Sequence, residues 1–325
     1  MKKSLIIVLS FGLFFVACTK ENSKPTPPPT SNGKYPVHLN VVGFSASLGD
    51  FNDRKIFGNL RGANDTIADY VRYLAYNVYN ATTSAFIKTI YQVKAVADTN
   101  FGKIVDTLPN GGYIISITAA RDSVLPDPLY FNGGMANPGG IPEGFAGKYP
   151  GTDVFYKKMN ISVDSGAVTQ EVVLDRIVSM LKVVIEDSIP ANAKYINITP
   201  TKYPINVPDT YLPSFFQYKY GNISTGWQGT DNYYTYQVEI PDSAKKPNFQ
   251  LETYILNTTS QQISVNISCT DAGNVILAQK KVDNITIENN KKTVLKGILF
   301  NHSGGNNGVT VGVNGSWKTD ITVQF

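Results

Sequence analysis

The chain has 325 residues, of which 42% are hydrophobic and 17% are charged, so it holds enough apolar side chains to build packed cores. Its formal net charge of +4 is carried by scattered residues rather than by a basic stripe with interleaved aromatics, and we therefore expect no nucleic-acid partner. The chain has no third histidine, and the lipidation of Cys18 inferred below leaves no free cysteine pair, so a zinc site built from His and Cys lacks ligands.

The first 17 residues have the layout of a secretory signal peptide. Two lysines precede an apolar run over residues 5–16, which is shorter than the about 20 residues that a permanent membrane-spanning helix needs. The small residue Ala17 followed by Cys18 resembles a lipobox, in which the cysteine is acylated (palmitate being one such chain) and becomes the first residue of the mature lipoprotein. An ordinary signal peptide with an incidental cysteine is the alternative.

The segment after Cys18 predicts a flexible linker over residues 18–34. It reads CTKENSKPTPPPTSNGK, which is polar and proline-rich and lacks large apolar side chains. Acyl chains at Cys18 hold such a chain on a membrane without a protein span. We therefore predict a lipid-anchored protein of the outer membrane that faces the cell exterior.

Lipidation of Cys18 leaves Cys269 as the second of the two cysteines, so the sequence offers no internal disulfide. Cys269 ends the alternating run ISVNISC, a position that predicts a small buried apolar side chain.

Alternating apolar and polar residues recur along the rest of the chain and predict an all-β fold. The runs include VHLNVVGF, YIISITA, FQLETYIL, NITIEN and the terminal WKTDITVQF, and they are separated by turn clusters such as LPNGG and SGGNNG. Short strands with this punctuation favour sandwiches over a parallel α/β sheet. In the terminal run one face carries four apolar residues, namely Trp317, Ile321, Val323 and Phe325.

The length of this part of the chain predicts two β-sandwich domains, over residues 35–165 and 166–325. One segment near the boundary, residues 171–187, fits two patterns. Its apolar residues lie near one face of a helix, whereas its β-branched second half favours a strand.

Catalytic signatures are missing from the sequence. It contains no G-x-S-x-G elbow and no phosphate-binding P-loop, and its carboxylates are dispersed. The residues DFND at 50–53 offer oxygen ligands for calcium, but such a group more often marks a turn. We therefore predict a protein that is not an enzyme and needs no cofactor or metal.

Five stretches, in order along nearly the whole chain, resemble the fimbrillin-like surface lipoproteins of type V pili, including fimbrial anchor proteins. They are the lipobox with its linker and KYPVHLNVVGF; YLAYNVYN with LPNGGYIISI; DVFYKKMNISV with LDRIVSMLKVVIEDSIP; ITIENNKKTVLKGILF; and WKTDITVQF. The resemblance implies two transthyretin-like, Greek-key β-sandwiches. It also implies a role in pilus assembly or adhesion, with other fimbrial subunits as partners.

The same resemblance implies assembly by exchange of β-strands. In such proteins a protease cuts after an arginine, releases the first strand and leaves a groove that a partner's strand fills. Here the first strand carries Val37, Leu39 and Val41, and the cut could follow Arg54 or Arg61. Alternatively both arginines are ordinary solvated residues and the first strand stays in place, as suits an anchor. The terminal strand is the expected partner contact in either case.

A second hypothesis is a glycan-binding surface lipoprotein. Residues 211–241 contain nine aromatic side chains, among them Trp227, Tyr233 and Tyr234, which could stack on sugar rings. The alternative is that these aromatics belong to the core, or that an exposed set binds protein.

Five acidic-hydroxyl-apolar triplets resemble O-glycosylation sites of the bacterial lineage that builds type V pili. Their hydroxyl residues are Thr66, Thr107, Ser123, Ser188 and Ser243.

Overall fold

A computed structural model describes residues 33–44, 67–95, 99–121, 140–142, 152–202, 215–224, 235–300, 312–314 and 322–324. The prediction of an all-β fold is confirmed. The described residues form β-strands, with two short 3-10 helices at Ile67–Asp69 and Asp242–Ala244. Among these residues no helix is long and apolar enough to cross a membrane.

The strands are as follows in chain order. The first ten are β1 (Lys34–Phe44), β2 (Tyr73–Asn80), β3 (Phe86–Val93), β4 (Lys103–Pro109), β5 (Gly111–Ala120), β6 (Gly140–Pro142), β7 (Val154–Val163), β8 (Val168–Arg176), β9 (Val178–Ile185) and β10 (Tyr195–Lys202). The others are β11 (Phe215–Gln217), β12 (Asn222–Ser224), β13 (Tyr236–Glu239), β14 (Phe249–Leu256), β15 (Gln261–Thr270), β16 (Ile276–Ile287), β17 (Lys292–Gly297), β18 (Gly312–Asn314) and β19 (Thr322–Gln324).

The N-terminal part of the chain forms a seven-stranded sheet in the order β3-β2-β5-β7-β8-β1-β4. β7 and β8 pair only through Phe155 with Arg176 and Tyr156 with Asp175, so the contact between the two halves of the sheet is short. Inward side chains from β1, β4 and β8 share one hydrophobic cluster with those from β2, β5 and β7. The sheet therefore closes over its own core.

The C-terminal part contains two further sheets. One has the order β13-β10-β15-β16, and the other has the order β14-β9-β17-β18 with β19 also paired to β17. Apolar side chains from both sheets form a second hydrophobic cluster, and Cys269 lies in it with no exposed surface, as its sequence position predicts. Burial raises the pKa of the Cys269 thiol to about 11.

The segment 171–187, which fits a helix or a strand by pattern alone, is extended throughout its first part and forms the end of β8 and all of β9. β8 pairs with β1 and β7, whereas β9 pairs with β14 and β17. The chain therefore changes sheets at Ile177, which is C-terminal to the 165/166 boundary expected from sequence. The division into domains itself stays a prediction.

A buried ion pair marks this change of sheet. Arg176 donates to both carboxylate oxygens of Asp153 at 2.8 and 2.9 Å, and it donates to the side-chain oxygen of Asn290 at 2.7 Å. Its guanidinium carbon lies 5.2 Å from the ring centroid of Phe155. Asn290 precedes β17, and its backbone N–H donates to the carbonyl of Val178. Arg176 thus connects the seven-stranded sheet to the residues that lead into β17 in the C-terminal part.

A third hydrophobic cluster surrounds the same region. It contains side chains of β2 and β7, the residues Ile177 and Val178, Phe216 from the small sheet β12-β11-β6, and Tyr218 from the turn after β11. The hydroxyl of Tyr156 donates to the carbonyl of Tyr218 at 2.6 Å. The outer face of β2 is therefore covered, and this strand is buried on both sides.

We expect Asp153→Asn to lower the free energy of unfolding by about 3–5 kcal/mol, because it leaves a buried guanidinium without its counter-charge. The side chains of Arg176 and Asp153 are 0% and 2% exposed. Urea unfolding measures the change. Asp175→Asn is the matched control, since Asp175 pairs with Lys157 at the surface and this pair contributes at most about 1 kcal/mol. Equal effects of the two substitutions would contradict the assignment.

We also expect the protein to lose stability in alkali. Burial raises the pKa of Tyr76, Tyr79 and Tyr156 above the usual value for tyrosine. Because the folded state holds these protons more tightly than the unfolded state, stability is full below about pH 10 and falls as the pH rises further. The part of the tyrosinate absorbance that comes from these three buried tyrosines should appear together with the loss of the far-UV circular dichroism signal. Full ionisation of the tyrosines in a folded protein would contradict this expectation.

Candidate strand-exchange site

β1 brings the three apolar residues predicted for the first strand onto one face. Val37, Leu39 and Val41 are 0%, 2% and 3% exposed and lie in the first hydrophobic cluster. His38 and Asn40 point to the other side and are exposed. The alternation in the sequence therefore matches the pleat of the strand.

β1 is an internal strand with a hydrogen-bonded neighbour on each side. It pairs antiparallel with β4, from Lys34 opposite Pro109 to Asn40 opposite Lys103. It pairs parallel with β8, where the register shifts between Val41 and Gly43. Removal of β1 would expose the backbone edges of two strands along a groove with an apolar floor.

The C-terminal end of β1 is fixed by aromatic contacts. The ring centroid of Phe44 lies 4.1 Å from that of Phe155 and 5.9 Å from that of Tyr70. Arg54 and Arg61, the predicted cleavage sites, follow Phe44 in the sequence and lie outside the described residues.

The loop before β4 packs closely on β1. The backbone N–H of Val41 donates to the carbonyl of Gly102 at 2.9 Å. Gly102 has a φ of +87°, and a Cβ atom there would lie 2.7 Å from Cγ2 of Ile67. This position therefore requires glycine for both its backbone conformation and its contact.

One wall of the groove, β4, is held in place by contacts that do not involve β1. Asp106 of β4 forms an ion pair with Lys88 of β3 and accepts a hydrogen bond of 3.1 Å from the hydroxyl of Tyr76 of β2. The amide of Gln92 in β3 donates to the carbonyl of Lys103, and its oxygen accepts from the N–H of Gly102, both at 2.8 Å.

Burial of the Tyr76 ring and the nearby Asp106 carboxylate raise the pKa of the Tyr76 hydroxyl, which therefore stays a hydrogen-bond donor. Sequence reasoning missed this network between β2, β3 and β4. Lys88 and Gln92 carry no motif, and Asp106 is singled out by sequence only through the triplet that contains Thr107.

The other wall, β8, is held by the ion pair between Arg176 and Asp153 and by the antiparallel pairing of its end with β7. Neither contact involves β1. Both walls thus have anchors of their own.

The C-terminal strand predicted as a partner contact is β19. Its backbone pairs parallel with β17, with Val323 opposite Leu295. Trp317, Ile321 and Phe325 lie outside the described residues. Its place beside β17 separates it in sheet topology from β1.

The described part of the aromatic segment 211–241 belongs mostly to the core. Phe216, Tyr218 and Tyr236 are buried, whereas Tyr220 is exposed and lies under the ammonium of Lys219. Trp227, Tyr233 and Tyr234, on which the glycan hypothesis depends, lie outside the described residues, as does the lipidation site Cys18.

Three of the predicted O-glycosylation residues are described, and all three are exposed: Thr107, Ser188 and Ser243. The neighbouring Asp106 and Asp187 are turned inward. The Asp187 carboxylate accepts hydrogen bonds from the backbone N–H groups of Leu299 and Phe300. Thr66 and Ser123 lie outside the described residues. Within the described part of the chain no three His, Cys, Asp or Glu side chains cluster as metal ligands.

The sequence model of the family of unknown function DUF6562 matches residues 144–325, more than half of the chain. The chain belongs to the DUF6562 family. The matched part of this DUF6562 protein includes the buried pair Arg176 and Asp153 and the wall strand β8. No curated protein matches the chain significantly.

Two solved structures are similar to this DUF6562 protein. The tip fimbrial protein Mfa3 from Porphyromonas gingivalis, with a C-terminal truncation, is 11% identical, and the match covers 81% of this chain and 94% of that chain with a TM-score of 0.38. The fimbrial anchor protein Mfa2 from the same organism is 11% identical, and the match covers 81% of this chain and 90% of that chain with a TM-score of 0.42.

We expect Leu39→Ala to lower the free energy of unfolding by about 2–5 kcal/mol, because it leaves a cavity in the core under β1. Chemical denaturation measures the change. Asn40→Ala, at the neighbouring exposed position, is the control and should change stability by less than about 0.5 kcal/mol. Similar losses for both variants would show that β1 does not pack as described.

Proposed function

We propose that this protein is a cell-surface lipoprotein of fimbrial assembly or adhesion that is anchored in the outer membrane through Cys18. Its role is structural rather than enzymatic, and its partners are other fimbrial subunits. The place occupied by β1 is the site at which strands exchange.

The observation that carries the proposal is the independent support of the two strands beside β1. β4 is held by the contacts of Lys88, Tyr76 and Gln92, and β8 is held by Arg176. If β1 leaves, β4 and β8 are expected to stay in place as the two walls of the groove. It offers two unpaired backbone edges and an apolar floor, which an added strand satisfies together.

Two roles follow from the fate of β1. If the chain is cut after Arg54 or Arg61, β1 is released and the protein becomes a polymerising subunit. If it is not cut, β1 stays and the protein ends a fimbrium at the membrane as an anchor. The anchor role is preferred, because neither arginine lies in a sequence that compels cutting.

The glycan-binding role remains the alternative, but the described aromatic residues do not favour it. Phe216, Tyr218 and Tyr236 have no accessible face for a sugar ring. Carbohydrate could instead be attached to the exposed hydroxyls of Thr107, Ser188 and Ser243.

A designed cleavage tests strand exchange. A specific protease site replaces residues 54–61, and the folded protein is cut and incubated with excess fluorescent peptide of residues 34–44. We expect the peptide to replace the cut β1, as measured by fluorescence anisotropy and by the mass of the complex. A second peptide, residues 317–325, tests the C-terminal strand as the donor.

The control peptide carries Leu39→Asp, which places a charge in the apolar floor and should abolish uptake. The proposal fails if the wild-type peptide binds no better than this control. It also fails if the cut protein unfolds as soon as β1 dissociates.

A further inference from the structure

The contact between β7 and β8 is the shortest ladder in the seven-stranded sheet. β1 pairs with β8 as far as Leu174, so Asp175 and Arg176 lie beyond β1 and pair with β7 alone. One further backbone hydrogen bond lies at the same place, from the N–H of Ile177 to the carbonyl of Val154 at 3.0 Å. These paired ends form a seam. If β1 leaves, the seam is the one ladder among the described residues that still pairs β8 with the rest of the sheet.

A short hairpin packs on the outer face of the sheet at this seam. It covers residues 215–224, consists of β11, a turn and β12, and is called the strap below. The ring of Phe216 packs edge-on against the ring of Tyr156 with a centroid distance of 4.7 Å, and the hydroxyl of Tyr156 donates to the carbonyl of Tyr218 at 2.6 Å. The third hydrophobic cluster also includes Ile177. The strap therefore shares one packed cluster with residues on both sides of the seam.

The turn of the strap fits against Tyr156 because residue 221 is glycine. Gly221 has a φ of +71°, and a Cβ atom there would lie 2.8 Å from Cε1 and 3.0 Å from the hydroxyl oxygen of Tyr156. The backbone conformation and the contact both exclude a side chain at this position. Two residues further along β7, the ammonium of Lys158 donates to the carbonyl of Tyr220 at 3.4 Å, so the turn contacts the strand at a second point.

We propose that the strap positions β8 as a wall of the strand-exchange site. The strap fixes Tyr156, which is the residue of β7 that pairs with Asp175 of β8. When β1 leaves, β8 loses its long ladder with β1 and keeps the seam and the ion pair of Arg176. A groove whose wall is already ordered binds an incoming strand more tightly than one that must be ordered on binding. This inference rests on the proposed strand exchange.

The strap comes from a different part of the chain than the groove that it supports. It follows β10, which lies in a sheet of the C-terminal part, and β11 pairs with β6 from the chain between β5 and β7. The C-terminal part therefore contributes to a site that is otherwise built from N-terminal strands. The buried aromatic residues Phe216 and Tyr218 of the segment 211–241 thereby have a positioning role.

Hydrogen–deuterium exchange of the full-length, uncut chain tests the contact. We expect Gly221→Ala to raise the exchange rates of the seam amides, residues 154–156 and 175–177, at least about tenfold, because the new Cβ atom displaces Tyr156. Tyr156→Phe removes only the hydroxyl and should raise the same rates by a smaller factor. Gly166→Ala is the control and should leave the rates unchanged, because a Cβ atom at this position has no neighbour within 4 Å.

Peptide dissociation from the groove tests the positioning role in the chain with the designed cleavage site. After the fluorescent peptide of residues 34–44 has replaced the cut β1, excess unlabelled peptide is added and the loss of anisotropy is followed. We expect the labelled peptide to dissociate at least about tenfold faster from the Gly221→Ala protein than from the protein with glycine, because the wall strand is less firmly held. Gly166→Ala should not change this rate.

The outcomes separate the role of the strap from strand exchange itself. Equal seam exchange in the wild-type, Gly221→Ala and Tyr156→Phe chains overturns the proposal. Faster seam exchange with unchanged peptide dissociation also overturns it, because the strap would then stabilise the fold without supporting the groove. If the cut chain with an intact strap takes up no peptide, strand exchange fails, and the role of the strap in it fails for that reason.

Discussion

The first part of the structure depends on one strand that lies between two others. β1 supplies the parallel partner of β8, the antiparallel partner of β4 and three side chains of the core between the layers. Each of these apolar side chains contributes roughly 1.5–3 kcal/mol when it is fully buried. β1 begins directly after the predicted membrane linker. The residue predicted to carry the lipid therefore lies close in sequence to the strand that completes the sheet.

The ion pair of Arg176 and Asp153 connects this strand arrangement to the rest of the molecule. It holds β8 against the start of β7, and through Asn290 it reaches the residues that lead into β17. The connection between β8 and the residues before β17 thus runs through charge-assisted hydrogen bonds as well as through the chain at Ile177.

The fold class and the inward face of β1 could be predicted because both depend on local alternation, and Val37, Leu39 and Val41 display it directly. The strands that pair with β1 could not be predicted. β8 lies far along the chain, and a parallel neighbour leaves no turn signature. In the sequence Arg176 looks like any polar residue at the end of a strand, because its hydrogen-bond partners Asp153 and Asn290 are 23 and 114 residues away. The sheet change at Ile177 was equally hidden, because apolar residues on both sides of it fit either a helix or a strand.

The intact mass and N-terminal sequence of the protein recovered from the surface of intact cells test the central claim most directly. The account predicts a chain that starts at acylated Cys18 and retains β1. A chain without lipid that starts near residue 18 would contradict the membrane anchor. A chain that starts at Lys55 or Gly62 would contradict the anchor role, because β1 would then have been removed to leave an open groove.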